Sequence, residues 1–165
     1  MGGGYDVAFS NACIQWIPDH PRLLREMLGL LRPGGVMAVQ TPMNYEEPIH
    51  LIIEEVTTSG KWRPFFPNPR IFHNLTQPEY FDLLAEIASG FALWETVYFH
   101  RMDSHEAILE WYKGTGLRPY LNVLPEEKKA EFEYDIRQQV ALRYPVQPNG
   151  EIIFRFPRFF FLAYK

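Results

Sequence analysis

The 165-residue sequence has one cysteine, Cys13, so an internal disulfide is excluded and a reducing, cytoplasmic setting is expected. No apolar run approaches the roughly 18 to 20 residues that cross a bilayer, so neither a spanning helix nor a membrane partner is expected. Met1-Gly2-Gly3-Gly4 leads directly into a strand-like segment, not into the charged and apolar regions of a signal peptide. That glycine run is either a loop remnant or a cloning addition. Basic charge is also short: 16 Lys and Arg against 20 Asp and Glu leave −4, which argues against nucleic acid as a partner. The five histidines (His20, His50, His73, His100, His105) lack metal-ligand spacing and Cys13 lacks a partner thiol, so no metal site is expected. Internal repeats and low-complexity tracts are missing too.

What is present describes one globular domain with a bulky core and stiff loops: 47% hydrophobic residues, 16% aromatic residues and 14 prolines. Tyr5–Ser10 reads as a buried strand. Asp19 or His20 caps a helix whose first turn holds Pro21 and whose buried face is Leu23, Leu24, Met27, Leu28 and Leu31. The helix is expected to stop at Arg32-Pro33-Gly34-Gly35, before a second apolar strand, Val36–Gln40. Strand, helix and strand make a βαβ unit with parallel strands and a right-handed crossover.

Further on, Pro48–Ser59 reads as a helix, and Gly60–Asn74 as a proline- and aromatic-rich connection. Thr76-Gln77-Pro78-Glu79 is a capping box opening a helix expected to bury Phe81, Leu84 and Ile87. A long strand is expected over Phe91–Met102, and a helix from Asp103 or Ser104 to Lys113. A loop carrying Gly114-Thr115-Gly116 follows, then a helix from Pro125 to Arg143 with Phe132, Ile136 and Val140 inside. The last strand, Glu151–Tyr164, is expected to be interrupted at Pro157. Pairing of the two final strands around a helical insertion, residues 103–144, gives an α/β fold. Its mixed sheet has about four strands, two parallel and then an antiparallel pair, with flanking helices.

The loop after the first strand, Ser10-Asn11-Ala12-Cys13-Ile14-Gln15-Trp16, lies at the carboxyl end of a parallel strand, where open α/β sheets take ligands. Trp16 either contacts a ligand there or covers the helix start. Gly114-Thr115-Gly116 lacks the preceding strand and the lysine of a P-loop and reads as a hinge. Arg155, Arg158 and Lys165 around Phe159-Phe160-Phe161 read as charged gatekeepers of an apolar strand.

Tyr5–Ala12, Gln15-Trp16-Ile17-Pro18-Asp19-His20, the leucine-rich helix and Leu31-Arg32-Pro33-Gly34-Gly35-Val36 together resemble class I S-adenosylmethionine-dependent methyltransferases. With Gln40–Asn44, Glu47-Pro48-Ile49-His50 and Trp111–Leu121, the resemblance narrows to the trans-aconitate methyltransferases along nearly the whole chain. It implies a partial Rossmann-like fold and methyl esterification of a small polycarboxylic acid, with S-adenosylmethionine as cofactor. For the cofactor it implicates Asn11, Ala12, Gln15 and Trp16. For the acid it implicates Asn44, His50, Arg118 and Tyr120. Arg118 stands out because a guanidinium fork matches a carboxylate, although it could equally cap a helix or pair with a surface acid.

The glycine-rich turn of that family, which follows its first strand, has no counterpart here, since Gly2-Gly3-Gly4 precedes a strand. The expectation is a single truncated domain, with 1–42 a βαβ remnant of the cofactor half and 43–165 the substrate side. Losing a neighbour exposes the first strand's edge, so self-association through it is expected. The competing expectation is a noncatalytic module that binds a small acid or a protein.

Overall fold

The structure is a computed structural model that describes residues 4–68 and 70–165, so Gly2 and Gly3 of the opening glycine run lie outside it. The chain divides into two compact units that interleave in sequence. One holds the segment ending at Met43 together with Ile71–Tyr98 and Pro157–Lys165, and the other holds Asn44–Arg70 and Phe99–Phe156. The division expected from sequence, at residue 42, was continuous. The structural one is not, because the final strand comes back to pair with the second.

In the first unit, β1 (Tyr5–Asn11) and β2 (Leu31–Pro42) run parallel, joined through α1 (His20–Gly29). Asp19 is the cap of α1 and its carboxylate accepts the Arg22 amide at 3.2 Å. His20 instead turns into the core at 1% exposure. The helix stops earlier than expected, and Arg32-Pro33-Gly34-Gly35 belongs to β2 as an irregularity. Tyr5 pairs with Leu31 but Val7 already pairs with Val36, so the residues between bow out, with Gly34 at φ 78° where a side chain would be strained.

The final strand, β4 (Ile152–Tyr164), pairs antiparallel with β2 from Val36↔Tyr164 to Pro42↔Arg158. It continues through Pro157, contrary to the expected interruption, and the Pro157 carbonyl accepts the Met43 amide at 3.2 Å. Next to β4 lies β3 (Gly90–Met102), giving the order β1-β2-β4-β3. Ser89 N–H donates to the Tyr164 carbonyl, and Arg101 pairs with Glu151, so β3 and β4 run antiparallel. The expected four-strand mixed sheet is therefore present.

The capping box forms in full and opens α3 (Gln77–Ile87). Its buried side chains are Tyr80, Leu83 and Leu84, while Phe81 is 51% exposed and packs edge-on against Phe91. The stripe thus lies one position away from the expected one, because Tyr80 is drawn in by Phe159, Phe161 and His20.

The second unit holds α2 (Pro48–Thr58), α4 (His105–Lys113), α5 (Arg118–Val123) and α6 (Glu126–Arg143), with the end of β3 and the first half of β4. The short α5 was not expected from sequence; its six residues follow a glycine loop and carry a proline at the second position. Phe132, Ile136 and Val140 of α6 are fully buried with Ile49 and Ile52 of α2 and Ile108 of α4. Trp62 closes this core at 1% exposure, its indole N–H donating to Asp135 at 2.8 Å. Burial of side chains this size contributes about 2 to 3 kcal/mol each, so they dominate the unit's stability.

Arg155 and Arg158 do more than flank an apolar strand: they donate to Glu47 and Gln40, while the Lys165 ammonium donates to the Gly29 and Leu31 carbonyls.

Candidate functional site

At the carboxyl end of β1 and β2 the first unit builds a cross-braced loop. Ala12 takes a left-handed φ of 49° and its amide donates to the Gln40 carbonyl at 2.9 Å. Gln15 is buried at 3% exposure. Its side-chain amide donates to the Ala12 carbonyl at 2.8 Å, and its oxygen accepts the Thr41 hydroxyl at 3.4 Å. Gln15 therefore braces the loop, while Asn11 and Trp16 stand exposed. Trp16 lies against Phe72, with ring centroids 5.1 Å apart, and His73 N–H donates to the Gln15 carbonyl. Asn74 donates to the Pro42 carbonyl at 2.7 Å and accepts from Thr41 at 3.3 Å. Sequence inspection missed Phe72 and Asn74, which lie some sixty residues downstream in a segment without periodicity.

Beneath the loop, His20 accepts or donates at both ring nitrogens, to Tyr80 Oη at 2.6 Å and to the Ile14 carbonyl at 2.9 Å. A carbonyl only accepts, so Nε2 carries the proton and Nδ1 takes the Tyr80 hydroxyl proton. Burial lowers the His20 pKa, against smaller opposing effects of backbone hydrogen bonds. Two buried side-chain atoms among the described residues have no hydrogen-bond partner, Ser10 Oγ and Gln40 Nε2. Polar groups left over at the carboxyl ends of parallel strands are what a polar ligand at this end would satisfy.

The second unit gathers a different polar set. His50, on the first turns of α2, shares a 2.5 Å hydrogen bond with the Tyr112 hydroxyl of α4, and buried Asn44 also bonds Tyr112. Arg70 donates to the Gly116 carbonyl at 3.0 Å. Gly116 is required at this approach, because a Cβ there would sit 2.1 Å from Tyr112 Cε1. Tyr120 packs edge-on against Phe66, with centroids 5.4 Å apart.

The electrostatics of this set are coherent. Burial, then the Arg70 charge, lowers the His50 pKa to about 4, so its imidazole is neutral at pH 7. Burial pushes the Tyr112 and Tyr120 phenols up, so both keep their protons, although Arg70 opposes the shift in each. Arg70 itself is lowered by burial but remains a cation. Of the four residues implicated for an acid, the structure thus places Asn44 and His50 on Tyr112, and Tyr120 against Phe66 and Phe132. Arg118 is elsewhere in character: it is exposed in the first turn of α5. Arg70 was missed because it lies in the aromatic connection, with no motif around it. Among the described residues no group of three or more His, Cys, Asp or Glu side chains could hold a metal ion, and no helix is long and apolar enough to cross a membrane.

Comparison with known proteins gives the family. The methyltransferase-domain family matches residues 2–96, more than half of the chain. The chain belongs to the methyltransferase family. A trans-aconitate 2-methyltransferase of Rhodopseudomonas palustris is 42% identical over 98% of this methyltransferase chain and 64% of its own length. One of Azoarcus is 42% identical over 97% of this chain and 63% of its own. The chain thus spans a little under two thirds of these relatives. A crystal structure from Bacillus halodurans, assigned as a methyltransferase, superposes with a TM-score of 0.50 at 13% identity, covering 98% of this chain and 64% of that one, and supports the fold.

Proposed function

We propose that this chain serves S-adenosylmethionine-dependent methyl transfer to a carboxylate of a small polycarboxylic acid, with trans-aconitate as the favoured acid. The observation that carries this reading is the identity, extending over 98% of the chain, to an enzyme named for that acid. When bound, the cofactor supplies a methyl group activated by a positively charged sulfur. Asn11, Ala12 and Trp16 would meet it, with Gln15 bracing the loop from beneath. The left-handed Ala12 and the unsatisfied Ser10 Oγ and Gln40 Nε2 fit such a role.

The chemistry asks little acid–base work of the protein. A carboxylic acid is ionised at pH 7, so its oxygen needs no base to become a nucleophile. The task is to hold and orient a multiply charged acid and to exclude water. Asn44, His50 and Tyr120 offer hydrogen bonds for it, and the protonated Tyr112 locks His50 in place. Arg118, the cation singled out by sequence, sits on the surface, where an ion pair contributes about 0 to 1 kcal/mol.

We also place the protein in the cytoplasm, where the free, exposed Cys13 would stay reduced. A second copy is the favoured partner of β1, which ends the sheet with Tyr5, Val7 and Phe9 exposed at 63%, 58% and 72%.

Calorimetric titration of the purified chain with S-adenosylhomocysteine tests the cofactor half of the reading. Micromolar binding is the expected result. Absence of binding, with trans-aconitate still bound, would overturn methyl transfer by this chain in favour of a noncatalytic acid-binding module.

A further inference from the structure

We propose that His20 is a positioning residue for the cofactor: it fixes the loop over residues 11–16 in its binding shape by holding the Ile14 carbonyl, while Tyr80 of α3 fixes His20. The inference rests on the reading that this loop meets S-adenosylmethionine, and it names the side chain that keeps the loop ready. Every residue involved belongs to the first unit. Three observations lead to it.

First, His20 reaches the loop from within. It opens α1, yet Asp19 does the capping and the His20 side chain is buried at 1% exposure. Both ring nitrogens are engaged by the protein. Nε2 donates to the Ile14 carbonyl at 2.9 Å, and Nδ1 accepts the hydroxyl of fully buried Tyr80 at 2.6 Å.

Second, the carbonyl it holds is a pivot of the loop. The Ile14 carbonyl also accepts the Ile17 amide at 2.8 Å, which closes the turn, and the Ile14 side chain is itself buried. Two residues earlier, the Ala12 carbonyl is held by the buried Gln15 side chain at 2.8 Å. Buried side chains thus tie the segment down at two points after it leaves β1. Ala12 between them and the strand has φ 49°, a conformation that a residue other than glycine keeps only when its surroundings hold it there.

Third, the hold depends on where the ring carries its proton. Because Tyr80 donates to Nδ1, the proton of the neutral ring sits on Nε2, facing the carbonyl. With the proton on Nδ1 instead, Nε2 would turn a lone pair toward the carbonyl oxygen and push the loop away. Tyr80 therefore sets the tautomer, and the stacked Phe159 ring, 5.4 Å away between centroids, keeps Tyr80 in place.

The test combines calorimetry with S-adenosylhomocysteine and hydrogen exchange of the loop amides. It compares wild type, His20→Leu, His20→Gln, Tyr80→Phe and the core control Leu28→Ala, each checked for folding by circular dichroism. His20→Leu removes the donor and should weaken binding about 3- to 10-fold, as the binding shape loses population with one buried hydrogen bond. Exchange of the Ala12 and Ile17 amides should quicken in the same variant. His20→Gln, whose side-chain amide can donate to the same carbonyl, should restore affinity to within about twofold of wild type. Leu28→Ala opens the core at the far end of α1 without touching the loop, so it should lower stability and leave affinity unchanged. Nitrogen resonances of the His20 ring should report the Nε2–H tautomer in wild type and a mixture in Tyr80→Phe, with affinity falling alongside.

Unchanged affinity and exchange in His20→Leu would overturn the inference. So would equal losses of affinity in His20→Leu and Leu28→Ala, or a wild-type ring protonated at Nδ1. A wild-type chain that binds no S-adenosylhomocysteine would overturn the cofactor reading itself and this inference with it, a result separate from any difference among variants. Should His20→Leu fail to fold, Tyr80→Phe against Leu28→Ala decides: weaker binding in the former alone supports the inference, and equal affinities overturn it.

Discussion

The neutral His50 makes the fold acid-sensitive, and the size of the effect follows from its surroundings. Its pKa is about 4 in the folded chain, against an ordinary 6.5. Burial is the larger cause and the Arg70 charge the second. Because the folded value is depressed, the unfolded chain takes up the proton first as pH falls. His50 therefore contributes no penalty above pH 6.5, and stability is lost progressively from there down through pH 4. Linkage gives a loss of about 2 kcal/mol at pH 5 and about 3 kcal/mol at pH 4. Urea unfolding followed by tryptophan fluorescence at pH 7.5, 6.5, 5.5 and 5 measures it in wild type and in His50→Gln. The variant cannot titrate, so its stability should fall less between pH 7.5 and pH 5, by about 2 kcal/mol. His20 also has a lowered pKa and acts in the same direction, but it is present in both proteins and cancels in the comparison. Parallel pH profiles for the two proteins would refute the argument, because they would mean that His50 is no harder to protonate folded than unfolded.

Two further outcomes are expected. Tyr80→Phe removes the hydroxyl that donates to His20 Nδ1 at 2.6 Å and strands a buried acceptor, which should cost about 1 to 3 kcal/mol in thermal or urea unfolding. An unchanged midpoint would show that His20 is satisfied without it. Phe9→Lys places a charge on the outer row of β1 and should shift the chain toward monomer in light scattering over a concentration series. A wild type that is monomeric throughout that series would sink the edge-pairing proposal.

The parts of the fold legible in the sequence were those coded by short-range chemistry. The capping box at Thr76 and Glu79, the proline in the first turn of α1 and the apolar row of α6 each need only a few neighbouring residues, and each formed. The errors came where distant partners decided the outcome. Phe81 and Tyr80 are both credible inward residues from the helical period alone. Tyr80 wins because Phe159 and Phe161, about eighty residues later, pack on it and its hydroxyl donates to His20. Pro157 was expected to break β4, yet a proline in a strand lacks only a donor, and its carbonyl still serves Met43. The early end of α1 has a similar origin, since pairing of Leu31 with Tyr5 draws that residue into the sheet before the Pro-Gly-Gly segment is reached.

The same distinction explains the candidate site. Arg118 attracts notice because it stands beside a glycine loop and a proline, and it opens α5 as an exposed residue. What makes an arginine useful toward a carboxylate is a partly dry environment and a fixed plane, and both come from residues far away in sequence. Arg70 is half-buried, and one of its N–H groups donates to the carbonyl of Gly116, forty-six residues on. The loop Gly114-Thr115-Gly116 read as a hinge is thus a packing element: it lets the Tyr112 ring approach the backbone and presents a carbonyl to the guanidinium. Replacing Gly116 would disturb Tyr112 and Arg70 together, and with them the burial and, second to it, the charge that lower the His50 pKa. Hence the turn, the buried phenol and the cation are packed together, the glycine setting the geometry, and burial, more than the Arg70 charge, keeping His50 neutral.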